Sequence, residues 1–426
     1  MARAVGANPF GVFLLVLMVG FLGVVSLVLS RLESNLGVLI SLGMAVSVIV
    51  LFKTRIAIYL LIFSMLLSPE FVVGRLVTSG GTLGRGVTFR FDDFLLIIVV
   101  IAWLIKSALY KELGIFKKTS LSPAILFYIF ACAVATLIGM VVGRVQPMTG
   151  SLFVFKYVQY FILFFMVINN IEDEKQLRRY WLAVVITALI VATIGLAQIP
   201  SGQRVTAPFE GQYAEPNTLG GYLGFLILLC ASLSLSLRDY GKRISYALIA
   251  FYLFVPFLYT LSRASYLGLI PGLAVVLFLN RNRLVSYALM ALALSLLVFP
   301  NIFPQVIRDR VTFTWAQEAR SGQVVVLGQR LDTATSSRLE SFKQVLQDLP
   351  QKPFFGFGVT GWRFIDSQFF RTLIETGLCG LVALLFLFFR LFRLGLDRCR
   401  YFADDPFYRG LSIGFLGGFV CLLIHA

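Results

Sequence analysis

The sequence predicts an all-α, polytopic integral membrane helix bundle of about 12–13 transmembrane helices with one long outer loop. Three observations carry that reading. Of the 426 residues, 58% are hydrophobic and only 14% charged, whereas a soluble domain carries about 25% charged residues. The mean hydropathy is +0.88. Apolar runs long enough to cross a hydrocarbon core about 30 Å thick recur from one end of the chain to the other. The longest polar gap is Pro304 to Asp366, so 1–426 reads as one transmembrane domain with 304–366 as a large extracytoplasmic loop inside it.

The expected crossings are 9–30, 35–52, 56–73, 93–110, 122–142, 152–169, 181–199, 218–236, 245–261, 264–280, 285–303, 367–392 and 409–425. The first has a weakly basic start, an apolar run longer than a signal peptide's and no clear cleavage site, so it is expected to be retained as a helix. With the N-terminus inside, alternation puts Lys53, Lys106, Lys111, Lys117, Lys118, Lys175 and Lys242 in cytoplasmic loops, seven of the ten lysines. That is the positive-inside pattern, and it accounts for much of the net charge of +16 without a nucleic-acid partner.

The outer face is different. Its basic residues are thirteen arginines (31, 75, 85, 90, 144, 204, 263, 308, 310, 320, 330, 338 and 363) and two lysines, Lys343 and Lys352. Topology signals use Lys and Arg alike, so an Arg-dominated outer surface needs another cause. The guanidinium fork binds phosphate bidentately and stays charged when partly desolvated. Either these arginines receive a lipid-linked phosphate or pyrophosphate, or they pair with loop carboxylates and headgroups. Arg263 is placed between two apolar runs with almost no loop. A charge so close to hydrocarbon either snorkels to the outer headgroups or has a partner or a function, and the second reading is preferred.

Two further constellations carry polar chemistry. In Gln198…Arg204…Glu210…Glu215-Pro216-Asn217, Asn217 suits a helix N-cap, and Arg204 and Glu210 suit each other as a pair. In Arg363…Asp366-Ser367…Glu375, Asp366 stands where a helix begins, as an N-cap or as a general base. Glu375 lies deeper, where a carboxyl implies interhelical hydrogen bonding or a pathway role. Between them, Leu339, Phe342, Leu346 and Leu349 mark an amphipathic helix over 335–349, with Ser336 or Ser337 and Glu340 as a capping start. Such a helix would cover a cavity mouth or rest on the lipid surface. The five cysteines show no metal or disulfide spacing and the single histidine is His425, so neither a metal nor another cofactor is expected.

At these motifs the sequence resembles the O-antigen ligase and polymerase superfamily, polytopic bacterial enzymes with a GT-C-like bundle. The matching elements run in order: Gln198, Arg204, Pro216-Asn217, Ser262-Arg263, Arg338 ahead of an apolar helix, the Pro353-Phe354-Phe355-Gly356-Phe357-Gly358 turn, and Glu375-Thr376-Gly377-Leu378-Cys379-Gly380. The resemblance implies transfer of glycan from an undecaprenyl-pyrophosphate carrier at the outer face of the inner (cytoplasmic) membrane. It implies a glycan donor, a glycan acceptor and membrane lipids as partners, with a chain-length regulator as a candidate protein partner. Arg204 and Arg263 would then hold the pyrophosphate and Asp366, or Glu210, would take the acceptor's proton. Arg338, Glu210, Asn217 and Arg363 would bind substrate. One departure matters: ligases of the family commonly carry His, often followed by Asn, where this chain has Asp366-Ser367. That favours an O-antigen or exopolysaccharide polymerase over a ligase. A transporter or flippase is the alternative of another class, but it should show internally repeated, interrupted helices, and no repeat is visible.

Overall fold

A computed structural model describes residues 54–64, 66–68, 70–73, 87–90, 93, 95–101, 117–208, 215–280, 304–318, 322–326 and 329–426. The crossings expected at 9–30, 35–52 and 285–303 lie outside these residues; that at 93–110 is helical where described, at 93 and 95–101. The helices are α1 (Thr54–Ser64), α2 (Ser122–Val141), α3 (Pro147–Asn170), α4 (Glu174–Gln198), α5 (Pro216–Ser236), α6 (Tyr240–Tyr259), α7 (Arg263–Leu279), α8 (Gln305–Ala316), α9 (Thr333–Asp348), α10 (Gln368–Tyr401) and α11 (Pro406–His425). Among the described residues, α2 to α6, α10 and α11 are the seven helices long and apolar enough to cross a membrane. The protein is a multi-pass, all-α membrane bundle.

The helices extend past the apolar runs because the membrane sets only the minimum length of a crossing. Caps set the ends. Asp173 accepts from Gln176 N at 2.6 Å, Asp239 from Lys242 N at 2.9 Å, and Asp405 from the amides of Phe407 and Tyr408, so α4, α6 and α11 all start in polar sequence. One expected crossing is corrected. α1 stops at Ser64, Leu66 takes a positive φ, and Glu70–Val73 pairs antiparallel with Val87–Arg90 as β1 and β2, so 56–73 is not one helix. A second small ribbon, β3 (Val325–Val326) with β4 (Gln329–Arg330), lies in the long loop.

The centre of the bundle is α11 packed between α5 and α7. Lipid is as apolar as leucine, so helices associate here through close backbone approach rather than hydrophobic transfer. Where α7 crosses α11, a Cβ on Gly268 would lie 2.5 Å from the Cys421 carbonyl oxygen and one on Gly272 2.7 Å from that of Gly417. Beside it, Leu219, Leu223, Leu253 and Phe257 are fully buried between α4, α5 and α6.

Two sets of loops gather at opposite ends. Arg178 stacks on Phe407 at 4.3 Å, and Arg409 donates to the Leu279 carbonyl, joining connections assigned to the inside. At the other end Val205 N donates to Tyr259 O at 3.0 Å, and Arg144 lies over Phe357 at 5.1 Å. The connections assigned to the outside therefore meet one another around a common surface.

Candidate functional site

The site begins with a turn. Between α6 and α7 the chain reverses over Thr260, Leu261 and Ser262, with Leu261 at φ +50°. A non-glycine residue in the left-handed region costs on the order of 1–2 kcal/mol and persists only where its surroundings impose it. The reversal presents two carbonyls to cations. Arg204 donates from Nε to Thr260 O at 3.0 Å and from Nη2 to Leu261 O at 3.2 Å. Arg310, on α8, donates from Nε to the same Leu261 oxygen at 3.3 Å. The Arg204 loop is itself braced: Gln198 accepts from Thr206 N at 2.9 Å and donates to Thr206 O at 3.2 Å, as a strand partner would.

Arg263 opens α7 behind its N-cap, Ser262, whose hydroxyl accepts from Ser265 N. Its guanidinium spans two elements of the long loop, donating to Thr314 Oγ1 on α8 at 2.6 Å and to Asp332 Oδ2 at 2.7 Å. Asp332 in turn donates its amide to Thr314 O at 2.9 Å. The side chain of Asp332 is 2% exposed. Burial pushes its carboxyl up, but the Arg263 guanidinium, with Thr335 beside it, outweighs burial and holds it below the usual carboxylate range. Among the described residues Asp332 is the one carboxylate ion-paired with Arg204, Arg263 or Arg310. The result is under-neutralised: burial, then repulsion from Arg310 and Arg263, lowers the Arg204 guanidinium to about 10, and burial and Arg263 lower that of Arg310. Both stay cationic at neutral pH, and an added anion would relieve the repulsion.

Asn217 belongs to this cluster, but not as a cap. Glu215 is the N-cap of α5, Pro216 occupies the first turn, and Asn217 Oδ1 accepts from Ser262 Oγ at 2.8 Å. Glu210 and its expected pairing with Arg204 lie outside the described residues.

Asp366 is paired with Arg338 at 3.6 Å, with side chains 59% and 47% exposed, and Ser367 rather than Asp366 is the N-cap of α10. Arg338 sits in the second turn of α9 instead of ahead of it. That helix starts two residues earlier than expected, after Asp332. Ser336, expected as a cap, is buried inside it, its hydroxyl accepting from Val324 N at 2.9 Å. The expected apolar face is also only partly used. Phe342 stacks on Phe370 at 4.0 Å and Val345 is buried, while Leu346 is 58% exposed and Leu349 falls beyond the helix end. Arg363 lies apart from the cluster, its guanidinium 4.5 Å over the Trp362 ring.

The two glycine-containing motifs interlock. α10 is broken at Gly377, whose φ is +68° and ψ −167°. The amides released beyond the break, Leu378 and Cys379, donate to Pro353 O at 2.8 Å and Phe354 O at 3.1 Å. The carbonyls before it, Ile374 and Glu375, accept from Phe357 N and Gly358 N at 3.0 and 2.8 Å. Non-helical backbone at membrane depth is tolerated only when its polar groups are met within the protein, and here one turn meets four of them. Glu375 Oε1 completes the join, accepting from Thr360 N at 3.1 Å and Arg371 Nε at 3.3 Å. Its role is therefore to hold the loop onto the broken helix.

Four residues of this region were not singled out as site residues from the sequence, Arg310 being named only among the thirteen outer arginines. Arg310, Thr314 and Asp332 carry no local signature, since each acts through a contact with an element dozens of residues away. His425, at the end of α11, faces Gly221 of α5, where a Cβ would lie 3.5 Å from its ring. It lies beside Asn217 and within electrostatic reach of Arg338, and its Nε2 is buried without a hydrogen-bond partner.

The stretch from α6 to the first half of α10 holds the strained turn, Arg263, Arg310, Asp332, Arg338, Asp366 and the interlocked motifs. Residues 247–385 match the family model described as O-antigen ligase. This stretch resembles an O-antigen ligase domain. It supports the O-antigen ligase/polymerase superfamily, and it covers about a third of the chain, leaving Arg204 and Asn217 outside the matched segment but in contact with it. No curated protein matches the chain.

Proposed function

We propose that this protein is a polymerase-type glycosyltransferase that elongates an O-antigen or exopolysaccharide from undecaprenyl-pyrophosphate-linked oligosaccharides at the outer face of the inner membrane. The observation that carries it is the convergence of Arg204, Arg263 and Arg310 on one turn, with Asp332 their one ion-paired carboxylate among the described residues. An oligosaccharide carrier's pyrophosphate is an anion at the membrane surface, and three preorganised guanidinium groups suit its charge.

In the reaction, the bond between the anomeric carbon and the pyrophosphate oxygen breaks, and the acceptor hydroxyl oxygen bonds to that carbon. The leaving pyrophosphate keeps the electron pair and its growing negative charge falls among the arginines. The acceptor's proton goes to a base, for which Asp366 is the candidate and Glu210 the alternative. Removing one such preorganised donor costs about 3 kcal/mol of transition-state stabilisation.

The family description favours a second reading, in which the acceptor is a lipid core and the enzyme a ligase. Purified protein incubated with lipid-linked repeat units separates the two. A ladder of longer products is expected; transfer only to a lipid A core would establish the ligase, and no product with either acceptor would overturn both.

A further inference from the structure

Beyond the arginine cluster, the same loop carries a pocket with a different chemistry. It has a volume of about 320 Å³ and is lined by Gln344, Gln347, Asp348, Trp362 and Arg363. That size is at the lower end of pockets that hold small organic ligands. Its lining is one indole, two amides, one carboxylate and one guanidinium, which is poor in aliphatic groups and rich in planar donors and acceptors.

Three of the five groups are already ordered by one another. Trp362 Nε1 donates to Asp348 Oδ2 at 3.1 Å, and the Arg363 guanidinium lies over the Trp362 ring. Trp362 is anchored from behind by the small cluster of Val345, Phe357, Ile365 and Ile374. A fourth group lacks a partner: the side-chain oxygen Oε1 of Gln344 is buried with no hydrogen bond. A buried acceptor left unmet costs about 1–3 kcal/mol, which a turn of the Gln344 amide toward a ligand hydroxyl in the pocket would recover.

Position adds to chemistry. α9 starts at Asp332, the residue that holds Arg263, passes Arg338, which holds Asp366, and ends at the pocket. At about 1.5 Å of rise per residue, the pocket side chains lie roughly 18–24 Å along the helix from Asp332 and roughly 9–15 Å from Arg338. A chain bound by its pyrophosphate at the arginines would need that reach to touch them, and a short oligosaccharide has it.

We infer that the pocket of Gln344, Gln347, Asp348, Trp362 and Arg363 is a glycan subsite that binds a sugar residue of the lipid-linked oligosaccharide distal to its pyrophosphate. The inference rests on the proposed function for the direction in which the glycan lies. Amides and the carboxylate pair with vicinal hydroxyls, Arg363 with a hydroxyl or an acidic sugar's carboxylate, and the indole packs against sugar C–H groups. The site would select the repeat unit rather than the chemistry.

The test uses full-length protein in lipid nanodiscs. The probe is oligosaccharide released by mild acid from the producing strain's own surface polysaccharide, followed by saturation-transfer NMR. Gln344→Met and Gln347→Ala should each weaken binding by about tenfold, the loss of one to two hydrogen bonds. Thermal stabilisation by inorganic pyrophosphate should be unchanged in both, which also shows that they fold. Parent protein that binds no oligosaccharide, or variants that bind as well as the parent, overturns the subsite. Loss of the pyrophosphate effect in the parent, with oligosaccharide binding intact, overturns the arginine site instead and leaves the subsite standing.

Discussion

Arg263 and Asp332 are 69 residues apart in sequence, and their guanidinium and carboxylate are 2.7 Å apart in space. The pair ties the first turn of α7 to the start of α9, so it positions the loop as well as the cation. Removing one partner of a largely buried pair costs about 3–5 kcal/mol, because the other charge is left unmet. Asp332→Ala is therefore expected to undock the loop, read as faster proteolysis between residues 304 and 366 in intact membranes, and to abolish polymer formation. Arg263→Lys keeps the charge but loses the fork that reaches Thr314 and Asp332 together, and should lose most activity as well. Polymer of normal length from an Arg263→Ala strain would refute the mechanism.

The same pair predicts an acid response. Asp332 is held below the usual carboxylate range, so its contribution is fully present above its unfolded value and is lost as pH falls through the lowered one. Loop proteolysis should be flat from neutral pH down to the ordinary carboxylate range and rise only below it. In Asp332→Asn that rise should vanish, with cleavage fast at every pH.

Arg204 and Arg310 share the Leu261 carbonyl and repel each other. Taking one cation away should therefore relax the turn while weakening the anion site. Arg310→Gln is expected to leave thermal stability equal to or above the parent's and to lower turnover by a hundredfold or more, about 3 kcal/mol. Arg204→Gln should do the same. Pyrophosphate should stabilise the parent more than either variant in a melting assay, and equal stabilisation of all three would exclude these residues from the anion site.

Much of the bundle was legible because lipid constrains a sequence so strongly: α2 to α7, α10 and α11 all lie where apolar runs placed them. α1 was not, since Leu61 to Leu67 stays largely apolar through the turn at Leu66 and Phe71 to Val73 resumes the apolar run in a strand, so hydropathy joins them across Ser68-Pro69-Glu70. In the site, Arg204, Arg263 and Asn217 do come together, because each stands at a polar junction between crossings. Arg310, Thr314 and Asp332 lie in a long loop, where no period ties a side chain to a neighbour. The start of α9 was misplaced for a related reason: Ser336 looks like a cap locally but is spent on the amide of Val324.

Two glycines with nearly the same φ but opposite ψ, +1° at Gly202 and −167° at Gly377, should respond differently to alanine. Gly202 has φ +70° and open space where a Cβ would point. Gly377 has φ +68°, and its Cβ would land on the Phe354 carbonyl that plugs the broken helix. Gly202→Ala should cost only the strain of a left-handed alanine, about 1 kcal/mol. Gly377→Ala adds expulsion of the Pro353–Gly358 turn and exposure of four backbone groups, and should fail to accumulate in membranes or melt far below the parent. Comparable melting of the two would mean that the turn and the helix break are not coupled.

Asp366 is the proposed base, and its setting makes the assignment testable against His425, the single histidine. Asp366 and Arg338 are about half exposed and 3.6 Å apart, so their pair contributes at most about 1 kcal/mol and Asp366→Asn should fold normally. If Asp366 takes the acceptor's proton, that variant loses about a hundredfold to ten-thousandfold in transfer while donor binding is kept. His425 is packed against Gly221 with Nε2 buried, beside Asn217, so His425→Gln keeps a hydrogen-bonding group but removes the proton acceptor. With Asp366 as base, His425→Gln keeps at least a tenth of parental transfer, read on lipid-linked repeat units with product-length analysis. The opposite result, an active Asp366→Asn and an inactive His425→Gln that still binds donor, would move proton transfer to the histidine. Exposure also bears on which outcome to expect. A base must meet an acceptor hydroxyl arriving from the aqueous side, and the Asp366 side chain is 59% exposed while the Nε2 of His425 is buried.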